Sequence, residues 1–178
     1  DGLCKTRNLT GCNATCKVEV GWDCPGSGSG GACTATCGDG VIRGAETCDD
    51  GARVPGDGCS ANCTVEDGWA CPTGQGIGGV CTPICGDSKV KGVETCDDGK
   101  HCANGTSCTT NAQCTGVGDG QCKTRSTDGC TSACQAEEGW TCPTAGAVGG
   151  TCAPNCGDKL VRGVETCDEG QLVGGSTS

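Results

Sequence analysis

Short apolar stretches recur along this chain, and a basic residue followed by glycine interrupts each of them. The stretch at residues 41–47 has counterparts at 90–95 and 160–166. Branched apolar residues on both sides of a basic–Gly step are typical of a short hairpin. A second ribbon is predicted where residues 68–71 and 79–82 flank a Gly-rich turn. No helical periodicity continues for three turns, so very little helix is expected.

The cysteines recur in a fixed order and divide the chain into repeated modules. Six positions, numbered here first to sixth, define a module: Cys37, Cys48, Cys59, Cys63, Cys71 and Cys81 in one case, and Cys85, Cys96, Cys130, Cys134, Cys142 and Cys152 in the next. The later module has an insertion at 100–127 that contains Cys102, Cys108, Cys114 and Cys122. The predicted boundaries are 1–36 for the C-terminal part of a module, 37–84 for a complete module, 85–155 for the module with the insertion and 156–178 for the N-terminal part of a further module.

Both ends of the sequence repeat internal segments. Residues 1–7 are similar to residues 119–125, and the segment that starts at Cys156 is similar to those that start at Cys37 and Cys85. Repeats of this kind need neighbours to cover their faces. We therefore expect small disulfide-rich tandem repeats, made of short β-hairpins and loops, in an elongated array that continues in a longer protein.

The composition points to cross-links as the main source of stability. Twenty-three of the 178 residues are cysteine and 35 are glycine, whereas three tryptophans are the only aromatic residues. Large apolar residues are too few for one buried core, and each disulfide contributes roughly 2–4 kcal/mol. Disulfides persist outside the cell and in compartments that lead there, which predicts an extracellular or cell-surface protein.

The charge of the chain excludes two classes of partner. The net charge is −10 and no basic cluster is present, so the surface repels nucleic acids and anionic membranes. No stretch approaches the ~20 apolar residues of a membrane span. We therefore expect neither nucleic-acid binding nor membrane insertion.

Disulfides explain the cysteines better than zinc does. The sequence contains Cys-x3-Cys steps, but zinc modules favour Cys-x2-Cys pairs and histidines, and His101 is the only histidine. Six cysteines allow fifteen pairings, and one pairing is predicted, fifth to sixth: Cys24–Cys33, Cys71–Cys81 and Cys142–Cys152. The total is odd, and Cys4 is expected to lack a partner within this sequence because it matches Cys122 without the insertion cysteines that precede Cys122.

Three tryptophans occupy one repeated position, after a glycine and two residues before a cysteine: Trp22, Trp69 and Trp140. One interpretation is a platform for carbohydrate or a partner. The other is the small core of each module, packed on disulfides. Regular recurrence beside a cysteine favours the core.

A repeated set of acidic residues is the candidate metal site. The set is Asp39, Glu46, Asp49, Asp50 and Asp57, and parts of it recur after Cys85 and after Cys156. Carboxylates clustered on Gly-rich turns are ligands for calcium. The same residues also satisfy backbone groups in tight turns without any ion. Both interpretations stay open, and no other cofactor is expected.

Four Asn-x-Ser/Thr sequences predict N-linked glycans in a secreted chain: Asn8, Asn13, Asn62 and Asn104. Asn13 and Asn62 both lie between the third and fourth cysteines of their modules, which indicates one repeated exposed site. Asn62 directly precedes Cys63 and is the least favourable acceptor of the four.

Catalytic residues are scarce, and the chain is not expected to be an enzyme. With a single histidine and no tyrosine, Ser–His–Asp and Cys–His arrangements have almost no candidates. His101 lies next to Cys102 near the start of the insertion, where we expect it to be solvated.

One family has a similar sequence pattern. The residues that carry the similarity are Cys37-Gly38-Asp39, Glu46, Cys48-Asp49-Asp50-Gly51, Asp57-Gly58-Cys59, Cys63, Glu66 and Gly68-Trp69 before Cys71. In these positions the chain resembles the Myxococcus-type cysteine-rich disulfide repeat. It differs at Ala52, where the family often has asparagine, at Ser88, where the family has glycine, and in the insertion.

The resemblance implies a structural or adhesive role and no activity. Such repeats occur in bacterial surface proteins and in secreted protist and algal proteins that are similar to components of flagellar hairs, the mastigonemes. We therefore expect a structural segment of a secreted glycoprotein that self-associates into a homopolymeric filament or surface coat. The alternative is an adhesion or ligand-binding module of a larger extracellular receptor or protease-associated protein.

Overall fold

The computed structural model describes residues 11–26, 31–143 and 149–169. These residues form eight strands of two residues each and one 3-10 helix, Asn111–Cys114. The strands pair antiparallel, as β1 (Trp22–Asp23) with β2 (Thr34–Ala35), β3 (Trp69–Ala70) with β4 (Thr82–Pro83), β5 (Lys100–His101) with β6 (Ser107–Cys108), and β7 (Trp140–Thr141) with β8 (Ala153–Pro154). The chain divides into two compact bodies, Asp1–Pro83 and Ile84–Ser178. The predicted small disulfide-rich fold of short β-hairpins is confirmed.

The ribbon predicted around Trp69 is present as the pair β3–β4, in which Trp69 lies opposite Pro83. Its loop folds back onto the segment that begins at Cys37, because Gly79 N–H donates to the Asp49 carbonyl at 2.9 Å and Gly76 N–H donates to the Ile42 carbonyl at 2.8 Å. Ile42 is only 2% exposed as a result. This ribbon thereby covers the start of its own module.

The hairpin predicted at residues 41–47 is wrong. This segment is a turn, in which Arg43 N–H donates to the Glu46 carboxylate at 2.8 Å and Glu46 N–H donates to the Arg43 carbonyl at 3.1 Å. The Glu46 side chain thus accepts a hydrogen bond from the Arg43 N–H, which in a hairpin would donate to the opposite strand. A hairpin that the sequence did not predict, β5–β6, lies in the insertion instead.

Nine disulfides connect the described residues. In both complete modules the first cysteine bonds the fourth, the second bonds the third, and the fifth bonds the sixth. The bonds are Cys37–Cys63, Cys48–Cys59, Cys71–Cys81, Cys85–Cys134, Cys96–Cys130 and Cys142–Cys152, together with Cys24–Cys33 and, inside the insertion, Cys102–Cys114 and Cys108–Cys122.

The cores are small and consist mainly of these sulfur atoms. Trp69 is 8% exposed and packs in one cluster with Cys48, Cys59, Cys63 and Cys81. Trp140 packs against the equivalent cluster of the next module. The core interpretation of the tryptophans therefore holds for Trp69. No helix within the described ranges is long and apolar enough to cross a membrane.

Candidate functional site

Three parts of each module build the sites described below. The head is the segment from the first cysteine to just past the second, residues 37–51, 85–99 and 156–169. The tail loop contains the third and fourth cysteines, residues 11–19, 58–66 and 129–137. The ribbon is the strand pair that contains the tryptophan.

One aspartate organises each head, and Asp49 and Asp97 are buried. The Asp49 carboxylate accepts hydrogen bonds from the N–H groups of Gly38, Asp39, Gly40 and Gly51 at 2.9–3.2 Å. Burial disfavours its charge, but the four donors outweigh that effect and lower the pKa of Asp49 below its ordinary value. The charge therefore closes a backbone turn.

The same arrangement recurs in the other two heads. Asp97 accepts from Gly86, Asp87 and Gly99, and Asp168 accepts from Gly157, Asp158 and Lys159. Three independent copies of one hydrogen-bond pattern indicate that the aspartate is a structural requirement of the head.

The other members of the candidate calcium set also have protein partners. Asp39 forms an ion pair with Arg43 at 2.6 Å, Asp50 accepts from Ala52 N–H at 3.0 Å, and Asp57 accepts from Cys59 N–H at 3.4 Å. Turn chemistry thus accounts for each of these carboxylates without an ion, and calcium binding stays a prediction.

Each head contains a glutamate with one unpaired oxygen, and in the first head this residue is Glu46. Its Oε1 atom is buried without a partner, and so are the equivalent atoms of Glu94 and Glu165. Burial raises the pKa of Glu46 and of Glu94. An oxygen of Glu46 lies within 4.8 Å of the sulfurs of Cys37 and Cys63, but these sulfurs are bonded to each other and offer no thiolate to a metal.

A second group of carboxyls lies at the base of the insertion. Asp98 Oδ2, Asp128 Oδ1 and His101 Nδ1 are all buried without a hydrogen-bond partner. Burial, followed by the charge of Asp128, raises the pKa of Asp98 to about 6. His101 is 8% exposed, so the expectation of a solvated histidine is wrong. The sequence signal for this group is that Asp98 and Asp128 match Asp50 and Asp57 of the shorter module.

The ribbon of one module packs on the head of the next within each body. In the first body, a Cβ on Gly44 would lie 3.2 Å from the Trp22 ring, and a Cβ on Gly21 would overlap the Arg43 guanidinium. In the second body, a Cβ on Gly163 would lie 2.9 Å from the Trp140 ring. Arg162 pairs with Asp158 at 2.6 Å, as Arg43 does with Asp39. The same junction is therefore built twice.

A groove accompanies each junction. One groove of about 280 Å³ is lined by Trp22, Ala35, Gly44, Glu46 and Asn62 among others. The other, of about 300 Å³, is lined by Thr127, Glu137, Trp140, Arg162 and Gly163. Each groove combines a half-buried indole with a carboxylate, which suits a small polar ligand.

The candidate glycan acceptors lie on loops. Asn62 and Asn104 are exposed, and Asn13 is half-buried in the tail loop 11–19. Asn13 Oδ1 accepts from the Thr15 hydroxyl at 2.9 Å, and Asn104 Oδ1 accepts from Thr106 N–H at 3.1 Å. Asn8 lies outside the described residues.

Four cysteines in the described part of the chain have no disulfide. Cys12 is half-buried, whereas Cys16, Cys156 and Cys167 are exposed. No prediction from the sequence assigned these four as unpaired. Their signal is positional, because Cys12 and Cys16 are third and fourth cysteines, and Cys156 and Cys167 are first and second cysteines. Cys4 lies outside the described residues.

Comparison with known proteins gives a match to part of the chain. One family model, described as a domain of unknown function (DUF4215), matches residues 14–64. This stretch is a cysteine-rich, repeat-type region and covers less than a third of the chain. It runs from one tail loop to the next and includes the first junction. No curated protein and no solved structure matches the chain.

Proposed function

We propose that this chain is a structural segment of a secreted glycoprotein that self-associates into an extracellular filament or surface coat. The repeated junction carries this proposal, because Trp22 meets Gly44 in the same way as Trp140 meets Gly163. A contact of this kind, between the ribbon of one module and the head of the next, can be repeated without limit. The assignment to Myxococcus-type, mastigoneme-like repeats is part of the same proposal.

The disulfides support the proposed extracellular location. Nine cystines hold the described residues, and such bonds persist in oxidising compartments. Exposed Asn62 and Asn104 would carry glycans on loops that make no part of the ribbon pairing. Sugar at these positions would limit lateral pairing between exposed ribbon edges. The proposal assigns no catalytic activity to the chain.

Electron microscopy tests the proposal. The glycosylated protein from a eukaryotic host should form filaments with an axial repeat. Gly163→Ala should weaken or disorder them, because the new methyl group would press on Trp140 at 2.9 Å. Gly105→Ala is the matched control, since Gly105 also has a positive φ but faces open space. If the glycosylated protein without substitutions forms only monodisperse single particles under oxidising conditions, the filament is contradicted.

The groove beside Trp22 supports a second candidate, an adhesion or ligand-binding module of a larger extracellular protein. Its half-buried indole and the Glu46 carboxylate in its lining are groups that contact sugars and other polar ligands. Titration with soluble oligosaccharides, followed by tryptophan fluorescence, tests this alternative. Saturable binding by a monomer, abolished in Trp22→Ala, would favour it over the filament.

A further inference from the structure

The groove at the first junction brings a candidate glycan acceptor next to a tryptophan. Its lining includes Trp22 and Thr34 from the ribbon of one module, Glu46 from the head of the next module, and Asn62 from the tail loop of that same module. Its volume of about 280 Å³ is close to the lower end of the ~300–1,000 Å³ range of small-ligand sites. The groove therefore suits a ligand of the size of a sugar residue.

The position of Asn62 at this groove is fixed by its neighbours. Cys63 is bonded to Cys37 at the start of the head, and the Cys63 carbonyl accepts from Thr47 N–H at 2.9 Å. Ser60 Oγ accepts from Asn62 N–H at 3.4 Å. The backbone around the acceptor is therefore held against the head, while Asn62 itself is exposed.

The indole of Trp22 is also held in place, and it still offers surface to the groove. A Cβ on Gly11 would lie 3.0 Å from the ring and a Cβ on Gly44 would lie 3.2 Å from it, so both glycines pack closely against the indole. Trp22 is nonetheless only half-buried and lines the groove. A fixed, partly exposed indole is a surface on which the C–H groups of a sugar ring can pack.

Polar groups in the lining suit the hydroxyl and acetamide groups of a sugar. Thr34 is exposed, and its hydroxyl has only a long contact of 3.4 Å with the Asp23 carbonyl among its recorded bonds. A sugar oxygen at an ordinary hydrogen-bond distance would be a better partner for this hydroxyl. The Glu46 carboxylate accepts hydrogen bonds from donors such as sugar hydroxyls. The groove thus combines the apolar and polar groups that fix the orientation of a small ligand.

The attachment point favours the sugar of this chain over a free sugar. N-glycosylation joins N-acetylglucosamine to the side-chain nitrogen of asparagine. Because Asn62 itself lines the groove, the first sugar residue on it starts at the groove wall. A tethered ligand has a high effective concentration at a site that its linkage can reach.

Two other places in the chain provide contrasts. Asn104 is an exposed acceptor between β5 and β6, and the adjacent Gly105 faces open space. The groove beside Trp140 has no asparagine among its lining residues in the described part of the chain. The chain thus offers an acceptor that faces solvent, and an aromatic groove without an acceptor in its lining.

We propose that the first N-acetylglucosamine residue of an N-linked glycan on Asn62 packs on Trp22 in this groove. The glycan then connects the ribbon of one module with the tail loop of the next and becomes part of the junction. It also fills the groove that the second candidate function assigns to a soluble ligand. This arrangement rests on the proposed function only in that the chain must be secreted and glycosylated.

Nuclear magnetic resonance of the complete protein tests the contact. The protein is produced in a eukaryotic host that adds high-mannose glycans, and an endoglycosidase then trims each glycan to its first N-acetylglucosamine. The acetyl methyl signal of the sugar on Asn62 should be shifted upfield by the indole ring and should show cross-peaks to Trp22. The sugar on Asn104 should show neither effect. Asn62→Gln and Asn104→Gln assign the two signals.

Substitution of the tryptophans shows which ring causes the shift. Trp22→Leu should return the Asn62 sugar to the position of a free sugar, whereas Trp140→Leu should leave the shift unchanged. A second measurement needs no variant. An amidase that releases whole N-glycans should act on Asn62 of the native protein severalfold more slowly than on Asn104, and the two rates should converge after reduction and unfolding.

The outcomes separate this contact from the proposed function. An unshifted sugar on Asn62 without cross-peaks to Trp22 would overturn the contact, and so would a bare Asn62 in a protein with sugar on Asn104. Bare asparagines at both positions would contradict the contact and the glycoprotein together. The contact without filaments would contradict the filament alone.

Soluble N-acetylglucosamine oligomers test whether the groove is filled. Any binding near Trp22, followed by tryptophan fluorescence, should be confined to Asn62→Gln, because the tethered sugar blocks the groove in the glycosylated parent. Equal binding to the parent and to Asn62→Gln, lost in Trp22→Leu, would show that the groove is open and would overturn the proposal.

Discussion

At the scale of single residues, the acidic positions show what a sequence pattern does and does not reveal. Their recurrence at Asp49, Asp97 and Asp168 is visible in the sequence, and it correctly marks an important position. The choice between ion and turn depends on where the backbone N–H groups point, which spacing does not specify. In the structure the Asp49 carboxylate accepts hydrogen bonds from four of these N–H groups.

Replacement of Asp49 by alanine should destabilise the first complete module by about 2–4 kcal/mol, because several buried N–H groups lose their acceptor. Asp50→Ala removes a single bond, to Ala52 N–H, and should cost less than about 1.5 kcal/mol. Denaturant unfolding of the disulfide-intact proteins, followed by tryptophan fluorescence, measures both. Equal effects would show that the head does not depend on Asp49.

The Asp98–Asp128 contact predicts a pH dependence. Burial and the charge of Asp128 raise the pKa of Asp98 from 3.8 to about 6 in the folded protein, so the folded state binds a proton that the unfolded chain releases. Stability should therefore fall as pH rises from ~4 to ~6 and stay lower above that window. The shift corresponds to at most about 3 kcal/mol, and solvent screening at this partly exposed residue reduces it to the order of 1 kcal/mol.

Asp98→Asn should remove that loss and stabilise the protein at pH 8 but not at pH 3. Asp50→Asn, at the equivalent position of the shorter module, should give no such gain, since Asp50 accepts from Ala52 N–H. Urea unfolding at several pH values measures the difference. The raised pKa of Asp98 would be contradicted if the unsubstituted protein became more stable between pH 4 and pH 6 and the Asp98→Asn variant did not.

At the scale of elements, the sequence predicts the ribbons and misses the turns. Trp69 and Thr82 lie on opposite sides of a Gly-rich loop, and this local pattern is enough to identify the strand pair β3–β4. The segment 41–47 has the same apolar character but forms a turn, because Glu46 binds the Arg43 N–H. The hairpin β5–β6 lacks an apolar alternation, and the cystines of the insertion determine its position.

Two glycines test how the ribbon packs on the tail loop. Gly58 and Gly56 both have a positive φ, at 110° and 101°. A Cβ on Gly58 would overlap Cys81 and lie 2.8 Å from the Trp69 ring, whereas a Cβ on Gly56 would meet nothing within 4 Å. Gly56→Ala should therefore cost only the backbone strain, about 1–2 kcal/mol, and Gly58→Ala should cost distinctly more.

Oxidative refolding yield and thermal unfolding of the two glycine variants provide the comparison. We expect Gly58→Ala to lower the yield of the native Cys71–Cys81 bond and to expose Trp69. If the two alanine variants refold and melt alike, the close packing of ribbon and tail loop is incorrect.

At the scale of the whole molecule, composition predicts the source of stability but not the connectivity. A chain with 23 cysteines and few large apolar residues must rely on cross-links, as the cystine-centred cores show. Fifteen pairings are compatible with six cysteines, and only three-dimensional proximity selects one. The four unpaired cysteines follow from the same pairing rule, so they too become evident only with the structure.

Reduction should therefore abolish the fold. Because the apolar core of each module is too small to be stable alone, we expect full loss of the tryptophan environment and of cooperative melting once all disulfides are reduced. Thermal scans with and without a reductant measure this directly. Alkylated, fully reduced protein that still melted cooperatively would show that apolar packing is sufficient.

The disulfide map of residues 37–84 is the most direct test of the account, because the module fold and the junctions both depend on it. Partial reduction, stepwise alkylation and mass spectrometry should identify Cys37–Cys63, Cys48–Cys59 and Cys71–Cys81 as the native bonds. A different pairing of the first four cysteines, such as Cys37–Cys48 with Cys59–Cys63, would contradict it, since head and tail loop would then not be joined.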